Sequence, residues 1–254
     1  MVNLAMFVAA YQNNFSMKSK LVKNTLYILF FFVGLIVTSC TTCVEGEGEV
    51  VTQKYDVSDF SEINVDLDAI VVLVKGEPGV TIEAQSNIQF MMVAEVKRNT
   101  LKLHASSCIV AETPVKITIS TPKLTEIQLN GQVNLTTVNL ITAKKLVVKA
   151  GHQSTLNLNV FVNDLDVRLK ENAMLMITGN CQNADIEMDE ANMFDGFGFN
   201  ANSMNIELNG SGKATVSVLN KMKARVKGNG EILYTGDPQV ETSIDGSGRV
   251  TKVN

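Results

Sequence analysis

The chain has 254 residues, 45% of them hydrophobic, and carries 22 Lys and Arg against 26 Asp and Glu. This is a globular composition with length enough for a sizeable core. The acidic balance excludes nucleic acid and anionic headgroups as natural partners.

Residues 1–39 read as a signal segment. Lys18, Lys20 and Lys23 make a positive stretch, Leu26 to Val37 an apolar one, and Val37-Thr38-Ser39-Cys40 closes it with small residues before a cysteine. The apolar run is about 12 residues against the ~20 needed to cross a bilayer, so it reads as a secretory signal rather than a span. Met17 fits an initiator better than Met1, because the charged stretch starts there. The small residues before Cys40 resemble the lipobox of bacterial lipoproteins. That resemblance implies diacylation of Cys40, a membrane partner through this lipid anchor, and an outer-membrane lipoprotein facing the periplasm or the surface. Without residues 1–39 the chain loses three lysines and no acids, leaving a net charge of −7.

Residues 40–58 read as a polar tether containing Glu45-Gly46-Glu47-Gly48-Glu49. Acidic residues at such a place resemble surface-export signals of some Gram-negative lipoproteins, and a solvated linker explains the same run. From Asp59 to Leu73 the chain alternates like a β-strand pair, with Ile63 and Val65, then Val71 and Leu73, on one face. The stretch 74–123 reads as an insertion that closes one end of the fold, with strands expected over 80–84, 101–103 and 115–119.

From Leu124 onward one pattern recurs: an alternating apolar run, a small turn and a second alternating run. Anchors before the turns are Leu129, Val148, Leu169, Met188, Leu208, Val226 and Ile244, at steps of 19, 21, 19, 20, 18 and 18 residues. Turns such as Asn209-Gly210-Ser211-Gly212 and Asp245-Gly246-Ser247-Gly248 use residues that tolerate left-handed backbone. A period near 20 marks a solenoid. The expected fold is all-β, a right-handed parallel β-helix (β-solenoid) of about 18–21 residues per rung, with an inserted β region near its N-terminal end. Stacking at this period makes opposite charges vertical neighbours: Glu126–Lys145–Asp166, Arg168–Glu187, Glu207–Arg225, Lys223–Glu241, Lys170–Asp189 and Lys227–Asp245. A one-residue slip would bury these charges, so they act as a register device.

A Phe-Ser-x-Ile start at Phe60, the lipoprotein-like signal, Asn/Ser-Gly turns at this period and the ending Gly248-Arg249-Val250 resemble the family called putative auto-transporter adhesin, head GIN domain. The resemblance covers residues 59–254. It implies a parallel β-helix domain of the Gram-negative cell envelope and brings no catalytic motif with it.

Residues able to do chemistry are sparse. His104 and His152 lie in different parts of the chain with no nucleophile motif beside them, and the cysteines lack zinc-ligand spacing. With Cys40 lipidated, Cys43, Cys108 and Cys181 are an odd number, and Cys108 and Cys181 read as small buried hydrophobes. The weak metal candidates are Asp166, Asp185, Glu187 and Glu207, whose stacked like charges would invite calcium, although Arg168 and Lys170 offset them. Phe194, Phe197 and Phe199 could form an apolar patch, with Phe194 fitting the core column. The expected function is therefore non-enzymatic, surface binding or adhesion or a scaffold role, with no cofactor and with an extracellular glycan or protein as partner. The alternative is a calcium-assisted enzyme acting on an acidic polysaccharide.

Overall fold

The computed structural model describes residues 43–253; the signal segment and Cys40 lie outside the described residues. Short-range alternation of apolar and polar side chains produces strands almost throughout. The N-terminal part contains β1 (Val44–Glu45), β2 (Val50–Tyr55), β3 (Glu62–Asp66), β4 (Ala69–Lys75), β5 (Gly79–Gln85), a one-turn helix α1 (Ser86–Gln89), β6 (Met92–Lys97), β7 (Thr100–Ala105), β8 (Ile109–Val110) and β9 (Lys116–Thr121). The repeats contain β10 (Glu126–Leu129), β11 (Val133–Thr137), β12 (Ile141–Ala150), β13 (Thr155–Leu169), β14 (Met174–Glu190), β15 (Met193–Gly210), β16 (Lys213–Gly228), β17 (Glu231–Thr235), β18 (Gln239–Gly246) and β19 (Arg249–Lys252).

The repeats coil into a parallel β-solenoid of about seven turns. One face stacks β3, β10, β12, the second halves of β13 to β16, and β18. A second face stacks β4, β11, the first halves of β13 to β16, then β17 and β19. Inward columns run continuously through the coils. On the second face, Val71, Leu135, Leu156, Leu175, Phe194, Ala214, Ile232 and Val250 are in register. All but Val250 are buried to 0% exposure, which identifies this column as the core.

The anchor column of the first face differs from the expectation by two residues at one coil. Leu129 is in register with Ala150, and Val148 with Ile127; Ala150 then continues to Leu169, Met188, Leu208, Val226 and Ile244. Ala150 is too small to stand out as an anchor, so the larger Val148 takes its place in the sequence. A two-residue slip keeps every side chain on its face, so the inside and outside assignments survive while two vertical pairs change: Lys145 is in register with Asp164 rather than Asp166, and Glu126 with Val147 rather than Lys145. Glu126 does not meet Lys145; it pairs with Lys149 at 2.8 Å.

Where the two faces meet, the chain turns in a left-handed corner. His152, Gln153, Glu171, Asn172 and Glu190 have positive φ there, and in later coils Gly210, Gly228 and Gly246 take over. Two buried polar side chains serve the corner backbone. Ser154 Oγ donates to the Gly131 carbonyl at 2.7 Å. Asn192 accepts from the Ala173 N–H at 2.6 Å and donates to the Leu169 carbonyl at 2.8 Å. In this way buried corner groups that the ladder leaves over are paired.

The insertion closes the N-terminal end, as expected, with more structure than the sequence suggests. Strand β7 runs parallel beyond β3, and β9 beyond β4. Antiparallel β6 pairs with β7, β5 with β9, and β2 with β5. The tether assigned to 40–58 is thus corrected over its second part: Val50–Tyr55 is the outermost strand of this cap. Its Val-Val-Thr start has strand propensity, which the neighbouring glutamates and glycines mask. Cys108 is also corrected. It forms a disulfide with Cys43, 65 residues away, and β1 pairs with β8 beside it.

Candidate functional site

The first face is flat, regular and charged. Its outward columns follow from alternation: residues between the inward Leu165, Val167 and Leu169 point to solvent, and so on up the stack. Arg168 meets Glu187 at 3.0 Å, Arg225 meets Glu207 at 3.0 Å, Lys223 meets Glu241 at 3.0 Å, and Lys170 meets Asp189 at 3.6 Å. Lys145 reaches Asp166 at 3.9 Å from the neighbouring coil. Lys227 is in register with Asp245 but turns instead to Glu207, at 2.6 Å. These hydrogen bonds, Lys227 first and Arg225 after it, hold the Glu207 carboxyl below its ordinary pKa against the opposing effect of burial.

The four acidic candidates stack as two vertical pairs. Asp166 is in register with Asp185, and Glu187 with Glu207. Basic side chains interleave them: Arg168 spans Asp166 at 3.4 Å and Glu187 at 3.0 Å, while Arg225 and Lys227 occupy Glu207. A cluster of three or more His, Cys, Asp or Glu side chains able to hold a metal does not occur among the described residues. At the C-terminal half of the face a shallow groove of about 230 Å³ is lined by Asp185, Asn205, Glu207, Lys223, Arg225 and Glu241. A wider cleft of about 760 Å³ lies between the cap and the first corner, beside Asp66, Asp68, Cys108, Pro114 and Gln132.

Other candidates separate. His152 sits in the left-handed corner with its Nδ1 2.9 Å from Glu171, and His104 lies on β7 in the cap. Phe194 and Phe199 are fully buried and Phe197 is exposed, so the three do not form one patch. The Cys181 thiol is buried, and desolvation, with Asp164 nearby, pushes its pKa up to about 12. A group so placed stays protonated and inert. In a Cys40→Ala chain without reductant, a thiol-specific disulfide reagent should therefore find no thiol in the native protein and one after denaturation. Three thiols on denaturation would refute the Cys43–Cys108 bond, and one in the native state the burial of Cys181. Sequence reasoning misses that bond because a pairing across 65 residues leaves no local signal. It also misses Phe90 at the end of α1, whose ring is 87% exposed.

A profile of the family described as Putative auto-transporter adhesin, head GIN domain, matches residues 59–238. The chain belongs to this family. The GIN-type solenoid is similar to a crystal structure described as a putative adhesin from Bacteroides fragilis, with 22% identity, a TM-score of 0.79, and cover of 83% of this chain and 100% of that one. It is similar also to two from Parabacteroides distasonis. One, described as a putative adhesin, has 23% identity, a TM-score of 0.72 and cover of 84% and 100%; the other, described as a putative lipid binding protein, has 20% identity, a TM-score of 0.72 and the same cover. At these identities the likeness establishes the GIN fold. No curated protein matches the sequence. No helix among the described residues is long and apolar enough to cross a membrane.

Proposed function

We propose that this GIN-domain chain is a lipid-anchored protein of the cell envelope that binds an extracellular glycan or protein through its charged first face, without catalysis. The observation that carries the reading is how the charged groups of that face are used. Arg168, Arg225 and Lys227 each engage carboxylates of neighbouring coils, so the acids do not converge on a point where a reacting atom could sit. What remains is a rigid array of alternating charge on a large flat surface, suited to electrostatic complementarity with a partner. Anchoring at Cys40 is supported by the lipobox-like sequence before it and by the disulfide at Cys43, which fits an oxidising compartment outside the cytoplasm.

The test is adhesion of whole cells to immobilised extracellular glycans and matrix proteins. Cells carrying the wild-type chain should bind, and Lys223→Glu with Arg225→Glu should weaken that binding about tenfold, near 1.4 kcal/mol. Raising the salt should weaken it too, since the Debye length shrinks to ~3 Å at 1 M. Loss of neither would defeat the reading. Chelator-sensitive cleavage of a uronate polymer, abolished by Asp185→Ala, would establish the enzyme instead.

A further inference from the structure

The cap holds the most exposed phenylalanine among the described residues, and it does so next to the place where the described chain enters the fold. Phe90 is 87% exposed, Val110 54% and Val50 50%. Hydrogen bonds tie these positions into one lobe. The Asn87 side chain donates to the Glu45 carbonyl at 2.7 Å and accepts from the Glu47 N–H at 2.8 Å. The Ser86 N–H donates to the Glu49 carbonyl, the Ser106 N–H to the Met91 carbonyl, and the Gly46 N–H to the Val110 carbonyl. The Cys43–Cys108 disulfide closes the lobe covalently. Among the described residues strand β2 is paired on one side only, so Val50 and Val51 stand at the outer edge, beyond β5, β9 and β4.

We infer that this capped end is a membrane-contacting surface, with Phe90 and Val110 seated in the lipid headgroup region and the Cys43–Cys108 bond setting the stand-off. The inference rests on the proposed lipidation of Cys40. Cys43 is three residue steps along the chain from Cys40, and a fully extended chain spans at most about 3.6 Å per step. A lipid on Cys40 therefore keeps the disulfide within about 11 Å of the bilayer surface. A free tether to residue 58 would allow several times that distance, and the disulfide removes the slack. At so short a reach the side chains around Cys43 meet the lipid, and an exposed Phe on the same lobe as two exposed Val gains from burial there whereas in water it gains nothing. Glu45, Glu47 and Glu49 on the same lobe select a zwitterionic surface over an anionic one.

The chain has no tryptophan, so a single one reports its own position. Phe90→Trp and, as a control four coils from the cap, Phe197→Trp replace exposed rings, which keeps folding intact. Each full-length lipidated protein, with acylation of Cys40 verified by mass, is reconstituted into phosphatidylcholine vesicles with or without bromine on the upper acyl chain. Emission from position 90 should fall about twofold with brominated lipid, since an interfacial side chain lies within ~5–10 Å of the acyl boundary. Emission from position 197 should not change. Equal quenching at both positions, or at neither in acylated protein, overturns the inference. So does emission from position 90 that follows protein density instead of bromine, which would mean that a second copy covers the lobe. Absence of the lipid from Cys40 would be seen by mass before any fluorescence and would overturn the anchor and this inference together.

Discussion

Replacing Gly179 with alanine should destabilise the solenoid by ~2–6 kcal/mol, from backbone strain and overpacking together. Gly179 has a φ of +113°, and a Cβ there would lie 1.9 Å from the Val160 carbonyl oxygen and 2.9 Å from its carbon. Val160 is the residue in register on the preceding coil. Its carbonyl belongs to backbone and cannot swing aside as a flexible side chain would, so two coils must part. The control is Gly79→Ala, where the nearest atom to a new Cβ is 3.9 Å away; that change should stay within about 1 kcal/mol of wild type. Urea unfolding followed by circular dichroism measures both. A shift below about 1 kcal/mol for Gly179→Ala would show that the coils are not in the contact described.

Phe194→Ala should cost ~3–5 kcal/mol, and its effect should be local along the stack. The ring is fully buried, in register between Leu175 and Ala214. It also lies over Gly196, where a Cβ would come within 2.5 Å of its Cε1. Large, small and absent side chains thus fit one another across neighbouring coils, and truncation opens a cavity that backbone ladders above and below prevent from collapsing. Because each coil contacts its neighbours alone, stability is close to a sum of nearest-neighbour contributions. Amide exchange should accelerate over residues 174–218 and remain slow over the cap strands β7 and β9. Uniform acceleration across the protein would contradict this picture. Phe194→Leu, which keeps most of the volume, should cost less than about 1.5 kcal/mol.

The solenoid was legible because its information is repeated. Ile186, Ile206 and the anchors around them return at nearly the same interval, and Gly210, Gly228 and Gly246 mark the same corner three times. The charge pairs Arg168–Glu187 and Glu207–Arg225 were readable for the same reason, since strict stacking turns sequence period into vertical distance. Where a signal occurs once it was lost. Ala150 has too little side chain to mark its column. Strand β6 and its tight turn at Arg98-Asn99, both with positive φ, carry neither of the usual turn glycines. The disulfide and the pairing of β2 with β5 are contacts across the insertion that no local pattern encodes. The acidic quartet was found as residues, but its neutralisation depended on the directions long basic side chains take. Lys227 shows this by choosing Glu207 over the Asp245 opposite it.

The two ends of the stack are finished differently. Beyond β4 lie three further strands, β9, β5 and β2, and beyond β3 two, β7 and β6, with a disulfide beside them, whereas among the described residues no strand pairs with the outer side of β18, where Ile244 is 47% exposed. Length is therefore an adjustable quantity in this architecture. Inserting or deleting one twenty-residue unit between the ends would move the last described coil by about 4.8 Å while disturbing no contact of the cap. A chain built this way has a span set by a count of near-equal steps, so its last coils can shift along the stack while the cap strands keep every pairing they have.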